Sequence, residues 1–250
     1  EFKHGIYGLL GPNGSGKTTM MRCICGLLSP EKGSIECDCE NIGYLPQQFG
    51  AMKSLTVYET MRYFATLKKI PKSNQDNEIR YCIDLVNLSD KIKNKVGSLS
   101  GGMVRRLGIA QAIMGNPEIV LFDEPTAGLD PEERVRFKSL LRKIKNDKTI
   151  IISTHIVSDV KSICDEIVII NEGRNVVQGT CSDITSIGNE KVFLLDEEYE
   201  NNLEGNYYVK DRISKDNKNY IIVLSSNFIE QGVSINADIE DGYLCALKDI

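Results

Sequence analysis

The feature that most constrains this sequence is a run of eight residues, Gly11-Pro12-Asn13-Gly14-Ser15-Gly16-Lys17-Thr18. It matches the phosphate-binding pattern G-x-x-x-x-G-K-[ST]. Glycines let backbone N–H groups turn toward an anion, because no Cβ obstructs them. In this pattern the lysine reaches the β- and γ-phosphates of a nucleotide and the hydroxyl ligates Mg²⁺. The run therefore predicts a P-loop that binds a nucleotide, with Lys17 on the phosphates and Thr18 on the metal.

The residues around this run have the character that a P-loop requires. Ile6–Leu10 is apolar and predicts a buried strand, and residues 19–28 predict a helix. The phosphates would then lie at a helix N-terminus, where unpaired N–H groups favour an anion. Thr19, in the first turn of this helix, joins the expected nucleotide-binding residues.

Two carboxylates follow a second apolar run. Residues 119–122 predict a strand buried on both faces of a parallel sheet, and the strand ends in Asp123 and Glu124. Asp123 at the strand end is suited to hold Mg²⁺, directly or through water. Glu124 is suited to accept a proton from water that attacks the γ-phosphate, or alternatively to form a salt bridge at the loop entry.

The segment Leu99-Ser100-Gly101-Gly102-Met103 predicts a second phosphate-binding helix start. Ser100 suits the N-cap, and Gly101 and Gly102 leave the first N–H groups unobstructed. An ordinary serine-capped helix has the same pattern, so the interpretation depends on the other motifs.

The bulk properties exclude several classes of protein. The net charge of −5 and the pI of about 5.3 argue against nucleic acid as a partner. No apolar run reaches the length of a membrane span, and Glu1–His4 lead directly into the P-loop strand without a signal peptide. The eight cysteines lack the His or C-x-x-C partners of a zinc site, so we expect reduced thiols and no metal on them.

The remaining pattern predicts alternating helices and strands, followed by a change of character after residue 188. Residues 189–250 contain strand-like runs and polar turns without a catalytic pattern, and predict a small C-terminal α+β appendage. Asn171-Glu172-Gly173 predicts a hairpin turn into residues 174–178. The other expected elements are helices at 56–69, 75–88, 101–115, 131–145 and 157–164, and strands at 149–153, 167–170, 191–195, 207–210 and 220–224.

The order of these motifs, together with Tyr44-Leu45-Pro46-Gln47, Ala127-Gly128-Leu129-Asp130 and His155, resembles the nucleotide-binding domain of an ABC ATPase over residues 1–182. The resemblance implies an α/β fold, with a RecA-like P-loop NTPase core at 1–188 and a helical subdomain at about 49–115. It also implies hydrolysis of ATP with Mg²⁺.

Further roles follow from this resemblance by position. Gln47 would sense Mg²⁺ and the attacking water, His155 would hydrogen-bond the γ-phosphate, and Asp130 would shape a subunit contact. The signature at Ser100 of one subunit would close over the P-loop of a second ABC ATPase subunit. The partner would be an integral membrane permease, and the chain would be cytoplasmic, on the inner face of the membrane.

The chain departs from the family pattern in two places. No stacking aromatic for adenine is identified, because Phe2 and Tyr7 are expected to be strand residues. Only residues 36–41 separate the turn at Gly33 from Tyr44, where the family has a longer passage.

Met103 and the C-terminal appendage resemble the branch that works with export permeases for drugs, antimicrobial peptides or polysaccharides. The alternatives are a non-transport ABC ATPase in translation or DNA repair, and a P-loop kinase. Translation factors carry two cassettes and repair proteins a long coiled coil, and this chain has neither. The segment at Ser100 disfavours a kinase.

The segment after Gln47 is unusually apolar for the periphery of a domain, with Phe49, Met52, Leu55, Tyr58, Met61 and Phe64. We expect some of these side chains to dock the permease and the others to pack the core of the helical subdomain.

Overall fold

The structure is a computed structural model and describes residues 2–37, 39 and 41–250. Asp38 and Glu40, in the passage at 36–41, lie outside the described residues. The described residues divide into two compact units, one made of the chain up to Leu9 with Gly16–His155, and one made of Leu10–Ser15 with Ile156–Ile250. In the described part of the chain, no helix is both long and apolar enough to cross a bilayer.

The first unit is an α/β unit with a parallel sheet, which agrees with the predicted fold class. Its elements are β1 Gly5–Leu10, α1 Lys17–Ile24, β2 Ile42–Leu45, α2 Val57–Leu67, α3 Lys72–Leu85, α4 Gly101–Ile113, β3 Ile119–Asp123, α5 Pro131–Ile144 and β4 Thr149–Thr154. The four strands have the order β2-β3-β4-β1, and β3 runs parallel to both β2 and β4. The register places Asp123 opposite Ser153, so the carboxyl ends of β3 and β4 bring these side chains to one edge of the sheet.

Helices α2, α3 and α4 pack against one another. Thr56 caps α2 as part of a capping box with Glu59, which explains why this helix begins where the sequence predicts. Val57, Met61 and Ala65 recur at helical spacing and are fully buried. The assignment of 49–115 as a separate helical subdomain stays a prediction.

The second unit contains a hairpin and an antiparallel sheet. Its elements are α6 Val157–Val160, β5 Glu166–Asn171, β6 Arg174–Gly179, α7 Cys181–Ser186, β7 Val192–Asp196, β8 Tyr207–Lys215, β9 Lys218–Ser225, β10 Val233–Ser234 and α8 Ile239–Lys248. Strands β5 and β6 pair through the predicted turn, where Glu172 and Gly173 both have positive φ. The antiparallel sheet has the order β10-β7-β9-β8. Gly242 lets α8 pack on α7, since a Cβ there would lie 1.8 Å from the carbonyl oxygen of Ile184. The boundary predicted at residue 188 stays a prediction.

Several predicted ends of helices and strands differ from the structure by three to five residues. Helix α1 ends at Ile24 rather than Leu28, because Gly26 has φ 70° and closes a Schellman motif in which the N–H of Leu27 bonds the carbonyl of Arg22. Helix α3 begins after Pro71 rather than Asn74, and it ends at Leu85. Helix α6 ends at Val160 rather than Cys164, and β8 continues to Lys215 rather than Lys210.

Tyr7 is a buried residue of β1, as predicted, whereas Phe2 precedes the strand and packs edge-on against the Tyr7 ring.

The eight cysteines are free thiols, and no group of potential metal ligands occurs among the described residues.

Candidate active site

The P-loop has the backbone conformation that its glycines predict. Gly14 has φ 82° and Gly16 has φ 105°, which side chains rarely adopt. Gly11 has no space for a Cβ, which would lie 2.2 Å from the carbonyl oxygen of Ile170. The carbonyl of Ser15 accepts a hydrogen bond of 2.9 Å from the N–H of Gly173. The close approach at Gly11 and this backbone hydrogen bond therefore help to hold the loop in place.

Helix α1 begins directly after this loop, with Gly16 at the N-cap. No side chain caps the helix, so its first N–H groups have no side-chain acceptor from the N-cap. Lys17, in the first turn, is 6% exposed. Burial lowers the pKa of Lys17, while the charges of Glu124 and Asp123 oppose that shift. The two carboxylates therefore favour the charged lysine that phosphate binding requires.

Asp123 is fully buried at the end of β3, and both of its carboxylate oxygens accept hydrogen bonds. Thr18 donates to Oδ2 at 2.8 Å, and Ser153 donates to Oδ1 at 2.5 Å. Two of the three predicted magnesium ligands, Thr18 and Asp123, are thus in direct contact. Ser153 was not predicted as a site residue. Its position as a polar residue near the end of an apolar strand is the sequence signal that could have identified it.

Glu124 has an unusual backbone and a partly satisfied carboxylate. Its φ of 49° lies in the left-handed region, which is costly for a residue with a side chain and is typical of functional sites. Its N–H donates to the carbonyl and the hydroxyl of Ser153 at 3.1 and 3.0 Å. Its Oε1 lies 2.9 Å from Nδ1 of His155, and its buried Oε2 has no partner among the described residues.

With Glu124 ionised, its contact with His155 assigns a proton to Nδ1 of the ring. An ionised carboxylate only accepts hydrogen bonds, so Nδ1 of His155 must carry a proton to donate to Oε1. In the neutral ring Nε2 is then an acceptor, and donation from Nε2 to a phosphate requires the doubly protonated ring. The imidazole is 48% exposed, so Nε2 is accessible to a ligand.

The side chains of three other predicted site residues do not hydrogen-bond to this cluster. Among the described residues, no hydrogen bond joins the side chains of Gln47, Ser100 or Asp130 to Asp123 or Glu124. Gln47 has an exposed side chain, while its carbonyl accepts a hydrogen bond of 2.9 Å from Arg105. Arg105 was not predicted as a site residue.

The two remaining motif residues act as helix caps in this structure. Ser100 accepts a hydrogen bond from the N–H of Met103 at 3.3 Å, as predicted for an N-cap. A Cβ built on Gly101 would meet no atom within 4 Å, so this helix start is open. Asp130 caps α5 by accepting from the N–H of Glu133 at 2.9 Å.

Comparisons with known proteins agree with this geometry. Residues 2–127 match the ABC transporter family. The chain is 32% identical over 238 residues to the uncharacterized ABC transporter ATP-binding protein YxlF of Bacillus subtilis, covering 92% of this chain and 80% of that protein. It is 36% identical over 188 residues to the Nod factor export ATP-binding protein I of Burkholderia lata, covering 69% of this chain and 61% of that protein.

Solved structures share the fold. The structure of an ATP-binding subunit of an ABC transporter matches with a TM-score of 0.67 and 25% identity, covering 74% of this chain and 82% of that chain. An inward-facing putative metal-chelate type ABC transporter matches with a TM-score of 0.66 and 25% identity, covering 89% and 87% of the two chains. The chain therefore belongs to the ABC transporter family, as an ATP-binding protein of the kind that hydrolyses ATP in transporters.

Proposed function

We propose that this chain is the ATP-hydrolysing subunit of an ABC exporter, with Glu124 as the general base, and that two copies enclose two ATP molecules to drive an integral membrane permease. The single observation that carries the catalytic part is the Glu124 carboxylate. Its Oε1 is fixed by His155, and its buried Oε2 lacks a partner among the described residues. A buried polar atom without a partner is uncommon and calls for a specific explanation, and a bound water supplies one.

The chemistry follows from this carboxylate and its neighbours. Oε2 of Glu124 accepts a proton from water, whose oxygen attacks the γ-phosphorus. The bond from the γ-phosphorus to the bridging oxygen breaks, and ADP and phosphate leave. Lys17 and the N–H groups at the start of α1 hold the phosphate oxygens, where charge develops in the transition state. His155 keeps the carboxylate in one orientation and, when doubly protonated, donates from Nε2 to a phosphate oxygen.

The residues present also fit a magnesium ion. Thr18 and Asp123 offer a hydroxyl and a carboxylate that already lie 2.8 Å apart, which is the oxygen donor set that Mg²⁺ prefers. A bound Mg²⁺ would neutralise negative charge on the phosphates. The exposed amide of Gln47 would complete this set through water.

Dimerisation is supported by the second helix start. Ser100 and Gly101 are exposed, and the space around Gly101 is open. A helix N-terminus of this kind is suited to bind the phosphates of a nucleotide held by another copy. The exposed Asp130 lies at the N-terminus of α5, where it would meet the same partner.

Export through a permease is supported by a relative and by exposed apolar side chains. The relative from Burkholderia lata is named an export ATP-binding protein. Met52 and Tyr63 are each 46% exposed and Leu67 is 60% exposed, all in or just before α2. Aromatic and methionine side chains are enriched at interfaces, which favours Met52 and Tyr63 as contact residues. The chain would therefore work on the cytoplasmic face of the membrane.

The test compares Glu124→Gln with Lys17→Ala in purified protein with ATP and Mg²⁺. Glu124→Gln keeps size and hydrogen bonding but removes the base, so we expect ATP to bind, turnover to fall by about 10²-fold or more, and size-exclusion chromatography to show a dimer with ATP. Lys17→Ala removes the cation that holds the phosphates, so ATP binding itself should be lost and the protein should stay monomeric. Normal turnover by Glu124→Gln would refute the assignment of the base. A monomer at high protein and ATP concentrations would refute the dimer.

A further inference from the structure

A single buried guanidinium contacts the backbones of two active-site loops. Arg105 is 8% exposed and lies in the second turn of α4, the helix that Ser100 caps. Its Nη1 donates to the carbonyl oxygens of Pro46 and Gln47, both at 2.9 Å. Its Nη2 donates to the carbonyl oxygens of Asp123 and Glu124 at 2.5 and 2.6 Å. Its Nε donates to the carbonyl oxygen of Pro125 at 3.2 Å.

These contacts use every donor of the side chain. A guanidinium has five N–H groups in a rigid planar fork, and each hydrogen bond of Arg105 ends on a neutral carbonyl. Burial lowers the pKa of Arg105, and the charges of Asp123 and Glu124 act in the opposite direction. Five carbonyl oxygens that converge on one point repel one another unless a cation holds them, so this arrangement of the loops depends on Arg105.

The helix that carries Arg105 is itself fixed against the strand that leads to Gln47. Gly43 in β2 has no space for a Cβ, which would lie 2.1 Å from the carbonyl oxygen of Ala112 in α4. Gly108 in α4 likewise lies against Leu45 and the ring of Phe49. Gln111 adds a hydrogen bond of 2.8 Å to the carbonyl oxygen of Tyr44. Packing this close transmits displacements, because protein interiors have few voids.

We propose that Arg105 is a positioning residue for ATP hydrolysis, which makes the placement of the Glu124 carboxylate depend on the Gln47 loop and on α4. The proposal rests on the role of Glu124 given above. Glu124 is held from both sides of its backbone, by Ser153 at its N–H and by Arg105 at its carbonyl. A movement of the Gln47 loop displaces the carbonyl groups that accept hydrogen bonds from Nη1. Because the guanidinium is rigid and planar, the carbonyl groups that accept from Nη2 are displaced with it.

The first experiment replaces Arg105 in the full chain and separates kcat from KM. Arg105→Lys keeps the charge, but an ammonium has three donors and cannot span five carbonyls. We expect kcat to fall about tenfold or more, because small misplacements of catalytic groups are costly, while KM for ATP and ATP binding stay within about twofold. A loss of melting temperature with kcat unchanged would overturn the proposal. If Arg105→Lys shows no cooperative melting transition, Arg105→Gln is measured with the same criteria.

The matched control is the next residue on α4. Arg106 donates to the carbonyl oxygens of Val86 and Asn87 and pairs with Glu133 at 3.0 Å, with no hydrogen bond to residues 123–125. Arg106→Lys should lower the melting temperature with kcat retained. An equal loss of kcat in Arg106→Lys would show that general loosening of α4 is responsible, and would overturn the proposal.

The second experiment is a double-mutant cycle measured by single-turnover hydrolysis. If Arg105 acts through Glu124, Arg105→Lys should change the residual rate of Glu124→Gln by less than about twofold. The same tenfold loss in both backgrounds would overturn the proposal, while the role of Glu124 would stand. A Glu124→Gln protein that hydrolyses ATP normally would instead refute the role of Glu124, whatever the effect of Arg105→Lys.

Discussion

Nδ1 of His155 lies 2.9 Å from Oε1 of Glu124, and Oε2 of the same carboxylate is buried without a partner among the described residues. The contact gives the two oxygens different environments, since one is held by the imidazole and the other is left for a ligand. His155 therefore orients the carboxylate that we propose as the base, in addition to the expected contact with the γ-phosphate.

We expect His155→Ala to lower kcat by about 10- to 100-fold, because a carboxylate that is free to rotate is misplaced for much of the time. The melting temperature should change little, since the ring is 48% exposed. Steady-state ATPase assays over a range of ATP concentrations measure kcat, and thermal unfolding measures the melting temperature. His4, the other histidine of the chain, is exposed and provides the control His4→Ala. A His155→Ala protein with the kcat of the control would contradict the orienting role.

The apolar segment after Gln47 separates into core and surface residues. Met61 is fully buried, whereas Met52 is 46% exposed. We expect Met52→Glu to keep basal ATPase activity and stability, with a change within about 0.5 kcal/mol, and to lose co-purification with the permease. Met61→Glu should instead lower stability by several kcal/mol, because it buries a charge without a partner. Pull-down with the permease co-expressed, together with thermal melting, measures these outcomes. Unchanged co-purification of Met52→Glu would exclude this residue from the docking surface.

Lys68 gives the stability of the first unit a specific pH dependence. Its Nζ donates to the carbonyl oxygens of Gln111, Ala112 and Met114 at the end of α4, and burial lowers its pKa from 10.5 to about 8. Between these values the unfolded chain binds more protons than the folded chain. The contribution of Lys68 to the free energy of unfolding is therefore fully present above pH 10.5 and is lost as the pH falls through about 8.

We expect the wild-type protein to gain stability relative to Lys68→Met as the pH rises from 8 to 10.5. At about 1.4 kcal/mol per pKa unit, the interval between 10.5 and about 8 gives an upper bound of about 3.5 kcal/mol. Urea unfolding of both proteins at several pH values measures this difference. Replacement of the exposed Lys72 by Met should show no such trend. A stability difference that is flat or falls with pH would contradict the assignment.

The sequence alone was sufficient wherever a short segment determines its own geometry. The glycines between Gly11 and Gly16 and the serine at position 100 predicted the P-loop and the capped helix start, because backbone conformation and capping depend on neighbouring residues. The carboxylates after an apolar strand predicted where Asp123 and Glu124 lie, since strands of a parallel sheet end at a common edge.

Contacts between distant segments were decided by the tertiary structure. No spacing rule relates Thr18 or Ser153 to Asp123, and the sheet register and the start of α1 bring their hydroxyls to that carboxylate. Arg105 was not predicted as a site residue, and only the tertiary structure shows that its guanidinium binds five carbonyl oxygens from two loops. Burial of Met61 and exposure of Met52 also depend on which helix face meets the neighbouring helices. Local sequence specifies backbone conformation within a few residues, but hydrogen bonds between segments far apart in the chain exist only once packing has placed them.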